Sequence, residues 1–318
     1  MNVVSARSGQ SVRKRSRVLQ KFAKDLKANR YLYLMILPVV AYYLIFCYAP
    51  MYGIIIAFKD FAPMKGIMGS SWVGFLYFKQ FFTSIYAFRT ITNTLLLSLY
   101  SLLWGFPAPI LLALLLNEVK NVIFKKTVQT ITYLPHFISL IVVCGLIVDF
   151  TQQQGLINNI ITFFGGQRLP FLQKPEWFRT MYISTDIWQS VGWNSIIYLA
   201  ALAGVDQQLY EAASIDGAGR WKQTIHITLP GIAPTIIILL IMDIGHLMSV
   251  GYEKVILLYN PLTYSTADII SSFVYRMGLQ QFNYGYATAV GLFNSAVNLL
   301  LLVAANSISR KVSETSLW

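Results

Sequence analysis

Glu211-Ala212-Ala213-Ser214-Ile215-Asp216-Gly217-Ala218-Gly219-Arg220-Trp221-Lys222-Gln223-Thr224-Ile225-His226-Ile227-Thr228-Leu229-Pro230 is a polar stretch set between two long apolar runs, 181–203 and 232–250. A polar island between runs of about 20 apolar residues is the pattern of a loop joining two membrane-crossing helices. Asp206 stands where a carboxylate caps a short helix. Leu209, Ala212 and Ala213 then share one face of that helix, and Glu211 lies off it. Gly217 suits a left-handed helix end, and a second helical stretch begins near Arg220. Leu229-Pro230 is expected to end that stretch and open the next span, with Pro234 in its first turns. The result is two short helices joined by a glycine turn. It reads either as an ordinary surface connection or as a docking knob, in which Ala212, Ala213, Gly217 and Ala218 allow a close seat in a groove.

The remainder of the chain predicts an all-α membrane protein. Of its 318 residues, 56% are hydrophobic and 12% charged, against about 25% charged in soluble domains. Six segments are expected to span: 31–58, 91–116, 131–150, 181–203, 232–250 and 286–307. The net charge of +12 is concentrated in a tail, where nine Lys and Arg between Arg7 and Arg30 face Asp25 alone. Basic flanks stay on the cytoplasmic side, so both termini and the 204–230 loop are expected inside. This divides the chain into a basic tail (1–30), a transmembrane domain (31–309) and a C-terminal tail (310–318). Leu19, Phe22 and Leu26 place one apolar stripe on the basic tail, which reads as a helix on the inner membrane surface or as a cytoplasmic arm. A nucleic-acid arm is the weaker reading, because the tail runs directly into a span. The loop at 72–82 is rich in aromatics that favour the water–lipid interface. Cys47 and Cys144 sit inside apolar runs and read as small buried hydrophobes.

Charges inside a membrane cost about 2.5–3.5 kcal/mol each at a helix centre. Asp149, Asp186 and Asp243 fall in the outer halves of spans three, four and five, and Asn194, Asn294 and Asn298 add polar groups to spans four and six. Their common depth points to one water-filled cavity facing outward. Helix capping and pairing between subunits are the alternatives for the aspartates. Trp188, Trp193 and Tyr198 accompany them, and indoles, amides and carboxylates together suit a sugar. Trp188 and Tyr198 fall about 80° apart around the helix. Trp193 and Asn194 fall on other azimuths, so the set is not expected to share one lumen. Asp186, Trp188, Trp193, Asn194, Asp243 and Asn294 are the candidate pathway residues.

The 211–230 stretch resembles the loop by which permease subunits of binding-protein-dependent ABC importers dock on a separate ATPase. The elements are Glu211-Ala212-Ala213, Asp216-Gly217-Ala218 and Ile227-Thr228-Leu229-Pro230, with nine residues between Gly217 and Ile227. Trp221 is present, while Thr224 stands where an aromatic is common. The likeness covers about 30–310. Leu37-Pro38, Gly155-Leu156-Ile157-Asn158-Asn159, Asp186-Ile187-Trp188 and Gly192-Trp193 look like the sugar-permease branch related to the larger membrane subunit of the maltose transporter. Met51-Tyr52-Gly53 and Phe58-Lys59-Asp60-Phe61 look like a subgroup importing oligosaccharides from complex polysaccharides.

The resemblance implies a type I ABC importer permease fold in a bacterial cytoplasmic membrane. It implies a second permease subunit, two copies of a cytoplasmic ATPase carrying the ATP and Mg, and an outer solute-binding protein. This chain itself would bind no cofactor and do no chemistry. In agreement, no G-x-x-x-x-G-K-[ST] phosphate loop occurs in the sequence. Glu211, Ala212, Ala213, Asp216, Gly217, Ala218, Ile227, Leu229 and Pro230 would form the coupling site. Two other classes were weighed against this one. An ion-driven carrier working alone would be built on inverted repeats, and none is evident. A membrane enzyme would need clustered chemistry, whereas His136, His226 and His246 are scattered and fit no H-E-x-x-H pattern.

Overall fold

The computed structural model describes residues 24–25 and 27–312, most of them in helices. The tail stripe of Leu19, Phe22 and Leu26 lies outside the described residues. The chain forms two compact units, Met1–Ile55 and Ile56–Trp318, so the division falls within the first span. In the first unit, helix Arg30–Tyr42 carries Pro38 and buries none of its side chains. Such a helix requires lipid or another helix around it.

Five helical segments are long and apolar enough to cross a membrane: Arg30–Phe58, Ile85–Glu118, Leu140–Phe163, Arg220–Gly245 and Tyr284–Lys311. The sixth expected span is the 29-residue helix Pro175–Ala203. At 1.5 Å per residue it reaches about 44 Å, but Asp186, Gln189 and Asn194 interrupt its apolar run. It packs against Pro107–Glu118, Val122–Tyr133 and Leu229–Gly245.

Two span boundaries differ from the sequence reading. The stretch expected as one span over 131–150 is broken. Helix Val122–Tyr133 ends, a 3-10 turn Leu134–Phe137 containing Pro135 follows, and helix Leu140–Thr151 starts afresh with the Ser139 hydroxyl accepting from the Val142 amide at 3.5 Å. Proline cannot continue a helix through its missing N–H, and Ser139 supplies the new cap. The fifth span, by contrast, does not begin afresh at Leu229-Pro230. Helix Arg220–Gln223 passes through a widened turn, Thr224–Thr228, into Leu229–Gly245 without a break. The widened turn absorbs the carbonyl that the Pro230 ring displaces. The same device recurs at Tyr43–Tyr48 before Pro50 and at Ser101–Gly105 before Pro107.

The segment between the first two spans is folded onto the helices of the second unit. Strand Lys59–Asp60 pairs antiparallel with Ser71–Trp72. Helix Leu76–Thr83 follows and buries Tyr77 and Phe81. Phe81 meets Phe273 and Phe293, and Tyr77 meets Tyr286. These loop aromatics therefore divide: Trp72 and Phe75 stay exposed while Tyr77 and Phe81 enter the core. Cys144 is buried and Cys47 is exposed.

A second tie involves a fully buried carboxylate. Asp268 receives Arg89 Nη2 at 2.9 Å, Arg276 Nη2 at 2.7 Å and Ser272 Oγ at 3.0 Å. Beside it, the Asn93 amide donates to the carbonyls of Ser265 and Asp268, at 3.0 and 3.1 Å, and accepts from Arg179 at 2.9 Å. This cluster fastens the segment before the sixth span to the second and fourth spans.

Two predictions follow from the packing. A Cβ at Gly192 would strike the carbonyl oxygen of Thr132. Gly192→Ala should cost about 1–3 kcal/mol, seen as a lower unfolding midpoint in detergent. Gly145→Ala, whose Cβ meets nothing within 4 Å, should leave the midpoint in place. Asp268→Asn leaves two guanidinium groups without their carboxylate and should cost about 3–5 kcal/mol. Arg89→Met should cost less in the same assay, because Arg276 remains to pair Asp268.

Candidate functional site

Seen down the fourth span, Asp186, Gln189, Ser190, Trp193, Asn194 and Ile197 recur at helical spacing and form one stripe. This stripe lines a cavity of about 1090 Å³, at the upper end of the range for small-molecule sites, about 300–1,000 Å³. The second span supplies Ser98, Ser101 and Gly105 to the opposite wall, at its widened turn. The C-terminal end of the fifth span adds Asp243 and His246, and helix Tyr252–Leu258 adds Glu253 and Lys254.

Four of the six expected pathway residues thus meet: Asp186, Trp193, Asn194 and Asp243. The set does not all share one lumen, as expected from the azimuths, but Trp193 and Asn194 stand on the stripe with Asp186. Trp188 is the residue off the stripe, two positions and about 200° from Asp186, and it does not line the cavity. Asn294 is also outside the lining. It donates to the Met248 carbonyl at 3.1 Å, and Asn298 accepts from the Met248 amide at 2.8 Å. Those two amides hold the backbone just beyond the fifth span. Asp149 accepts from Gln152 at 2.9 Å at a helix end.

Asp186 does not stand alone. Its carboxylate takes the Lys254 ammonium at 2.5 Å, and Lys254 is only 6% exposed while Asp186 is 41% exposed. The ammonium also lies 5.0 Å from the centre of the Tyr182 ring. Sequence reading missed Lys254, although a lysine just past the end of an apolar run was the available signal. Trp193 is fixed from behind: His136 stacks on it face to face, 4.5 Å between ring centres, and Phe137 meets it edge-on at 5.5 Å. One indole face is thereby covered.

The 204–230 loop lies beyond the other end of the fourth span. Asp206 caps helix Gln207–Ile215, its carboxylate accepting from the Gln208 amide at 2.9 Å. Gly217 has φ +76, a conformation that side chains rarely adopt, and Ala218 N–H closes onto Ala213 O at 2.8 Å. Glu211, Ala212, Asp216 and Pro230 are exposed, whereas Ala213, Ala218, Ile227 and Leu229 are half-buried. Gln223 donates to Ser214 and to the Ala218 carbonyl, both at 3.0 Å, and Tyr210 bonds Thr228 at 2.9 Å. These bonds brace a knob that nonetheless leaves Ile215 86% and Trp221 82% exposed.

Comparison with known proteins agrees with this arrangement. Residues 81–314 match the family model "Binding-protein-dependent transport system inner membrane component". The chain is 49% identical over 306 residues to the polygalacturonan/rhamnogalacturonan transport system permease protein YteP of Bacillus subtilis (strain 168), covering 96% of this chain and 94% of that one. It is 48% identical over 294 residues to protein LplB of the same organism, covering 92% of each. Among solved structures, a bacterial ABC transporter involved in import of the acidic polysaccharide alginate matches with TM-score 0.87 and 48% identity, over 92% of this chain and 99% of that one. The same transporter chain is also known in complex with an alginate pentasaccharide-bound periplasmic protein. Helices that enclose a polar cavity, with a braced loop at one end and a family match over most of the chain's length, are those of a multi-pass permease: this chain belongs to the inner membrane components of binding-protein-dependent ABC transport systems.

Proposed function

We propose that this chain forms half of the path by which an ATP-driven importer carries an oligosaccharide across the bacterial cytoplasmic membrane. A second permease subunit of similar fold completes the path. Two cytoplasmic ATPase subunits bind and hydrolyse ATP with Mg, and a soluble binding protein delivers the sugar from outside. Both termini and the 204–230 loop face the cytoplasm, in keeping with the basic tail and the positive-inside rule. Membership of this family leaves no role for a carrier that works alone.

The observation that carries the reading is the cavity wall of the fourth span, where Trp193 offers one free indole face beside Asp186, Gln189 and Asn194. A sugar presents C–H faces to stack on an aromatic and hydroxyls to bond carboxylates and amides. The polysaccharide cargoes in the names of the similar proteins support the same chemistry.

Coupling runs through one helix. Arg220–Gly245 is continuous, so the loop at Trp221 and the cavity wall at Asp243 are two parts of one rod, about 33 Å apart at 1.5 Å per residue. Closure of the ATPases around ATP would move the knob, and the rod would carry that movement to the cavity. Glu211 supplies an exposed charge for the partner, and Gly217 sets the angle between the knob helix and the rod.

Two tests bear on this. Purification of the tagged chain should bring along a second permease and an ATPase, and sugar-loaded binding protein should stimulate ATP hydrolysis by that complex. Isolation of the chain alone under every mild condition would count against the assembly. Glu211→Arg and Gly217→Pro should each lower sugar uptake at least about tenfold while the protein remains in the membrane, since proline fixes φ near −65°. Undiminished uptake by both variants would sink the coupling role.

A further inference from the structure

We infer that His136 is a positioning residue for the sugar: it backs Trp193 and holds the indole plane ready for stacking before a ligand arrives. This rests on the reading of Trp193 as a sugar platform in the cavity. Trp193 lines the cavity, whereas His136 and Phe137 do not. Yet the three rings form one cluster. The imidazole lies parallel to the indole, with 1° between the planes and 4.5 Å between ring centres, and Phe137 meets the indole at 84°. Trp193 thus has one face against protein while the residue stays 42% exposed.

The backing is built into the break between helices Val122–Tyr133 and Leu140–Thr151. Pro135 sits in the 3-10 turn Leu134–Phe137, which carries His136 and Phe137 to the fourth span. Two further contacts seat that turn. Gly192 meets the Thr132 backbone so closely that a Cβ there would strike its carbonyl oxygen. Gln189 Nε2 donates to the Ile138 carbonyl at 3.3 Å, a carbonyl that the break leaves without a helical partner. Gln189, Gly192 and Trp193 stand at i, i+3 and i+4, so one face of the fourth span receives the break. Among the described residues the His136 ring joins no ion pair, so it acts on Trp193 as a flat ring and not as a charge. A side chain held by packing in its binding geometry spares the ligand the cost of ordering it. An indole reads the C–H face of a sugar ring, which neutral and acidic sugars share, so the role of His136 is the same for both.

The test uses the complete transporter in proteoliposomes, with the binding protein loaded from a pool of neutral and acidic pectin oligosaccharides. Uptake of the sugars that the wild type moves is read per assembled complex. His136→Leu keeps bulk and removes the ring, and it should lower uptake about three- to tenfold, the worth of one aromatic pair. His136→Phe keeps a ring and should stay within about twofold of the wild type. Trp193→Leu should lower uptake at least as far as His136→Leu. Adding His136→Leu to Trp193→Leu should then change uptake by less than about twofold, because residues that act through one another are not additive. Uptake untouched by His136→Leu would overturn the inference, as would a phenylalanine variant as impaired as the leucine one, or effects at the two positions that multiply. Loss of assembly in every His136 variant would overturn it too, by making the residue structural alone. A wild-type complex that assembles and moves none of the pool would overturn the sugar-path reading itself and this inference with it.

Discussion

The end of this protein away from the 204–230 loop depends on one buried carboxylate. Asp268 has no contact with solvent and survives in that setting because two guanidinium groups and a hydroxyl close around it. Isolated, such a charge would be too costly to bury. Satisfied, it acts as a fixed node, because Arg89 comes from the second span and Arg276 from the segment leading into the sixth. Asn93 extends the node by reading two backbone carbonyls of the same segment and receiving Arg179 from the fourth span. Helix Ile270–Tyr275 packs in turn on Tyr252–Leu258, the helix that presents Lys254 to Asp186. The wall of the cavity is therefore anchored, through packing and two ion-paired clusters, to a group that never touches the cavity.

Prolines shape the rest. In lipid every backbone polar group must find a partner within the protein, so a proline in a span demands a local remedy. Here the remedy is a widened turn just before the ring, used in the first, second and fifth spans. In the second span that turn is also part of the cavity wall, where Ser101 and Gly105 face the lumen. In the fifth it keeps the loop and the cavity on a single helix. The irregularity that a proline imposes is thus spent at places where the chain has to open or to bend.

Much of this was legible in the sequence, for identifiable reasons. Apolar runs near 20 residues, the Asp206 cap and the left-handed Gly217 are all local features, and local rules found them. The helical stripe through Asp186, Trp193 and Asn194 was also legible, because those positions recur at 100° per residue. Taking Trp188 as the reference residue concealed it. Other features lay beyond local reading. Lys254 is 68 residues from Asp186, and only the packing of helix Tyr252–Leu258 brings them together. Asn294 reads as a cavity residue by depth alone, yet a loop carbonyl captures it. The break at Ser139 and the continuity through Pro230 are opposite outcomes of the same residue type, decided by whether a cap or a widened turn was available.

The polarity of the fourth span has a further consequence, in how the molecule is made. A translocating chain enters the bilayer segment by segment, and each segment is sorted by its own hydrophobicity. Pro175–Ala203 falls short of the apolar character of its neighbours, and Asp186 alone adds about 2.5–3.5 kcal/mol to the cost of entry near a helix centre. Its counter-ion, Lys254, is synthesised only after the fifth span. The fourth span thus enters the bilayer carrying a carboxylate whose partner has not yet been made, and the Asp186–Lys254 pair can close only once helix Tyr252–Leu258 has been synthesised.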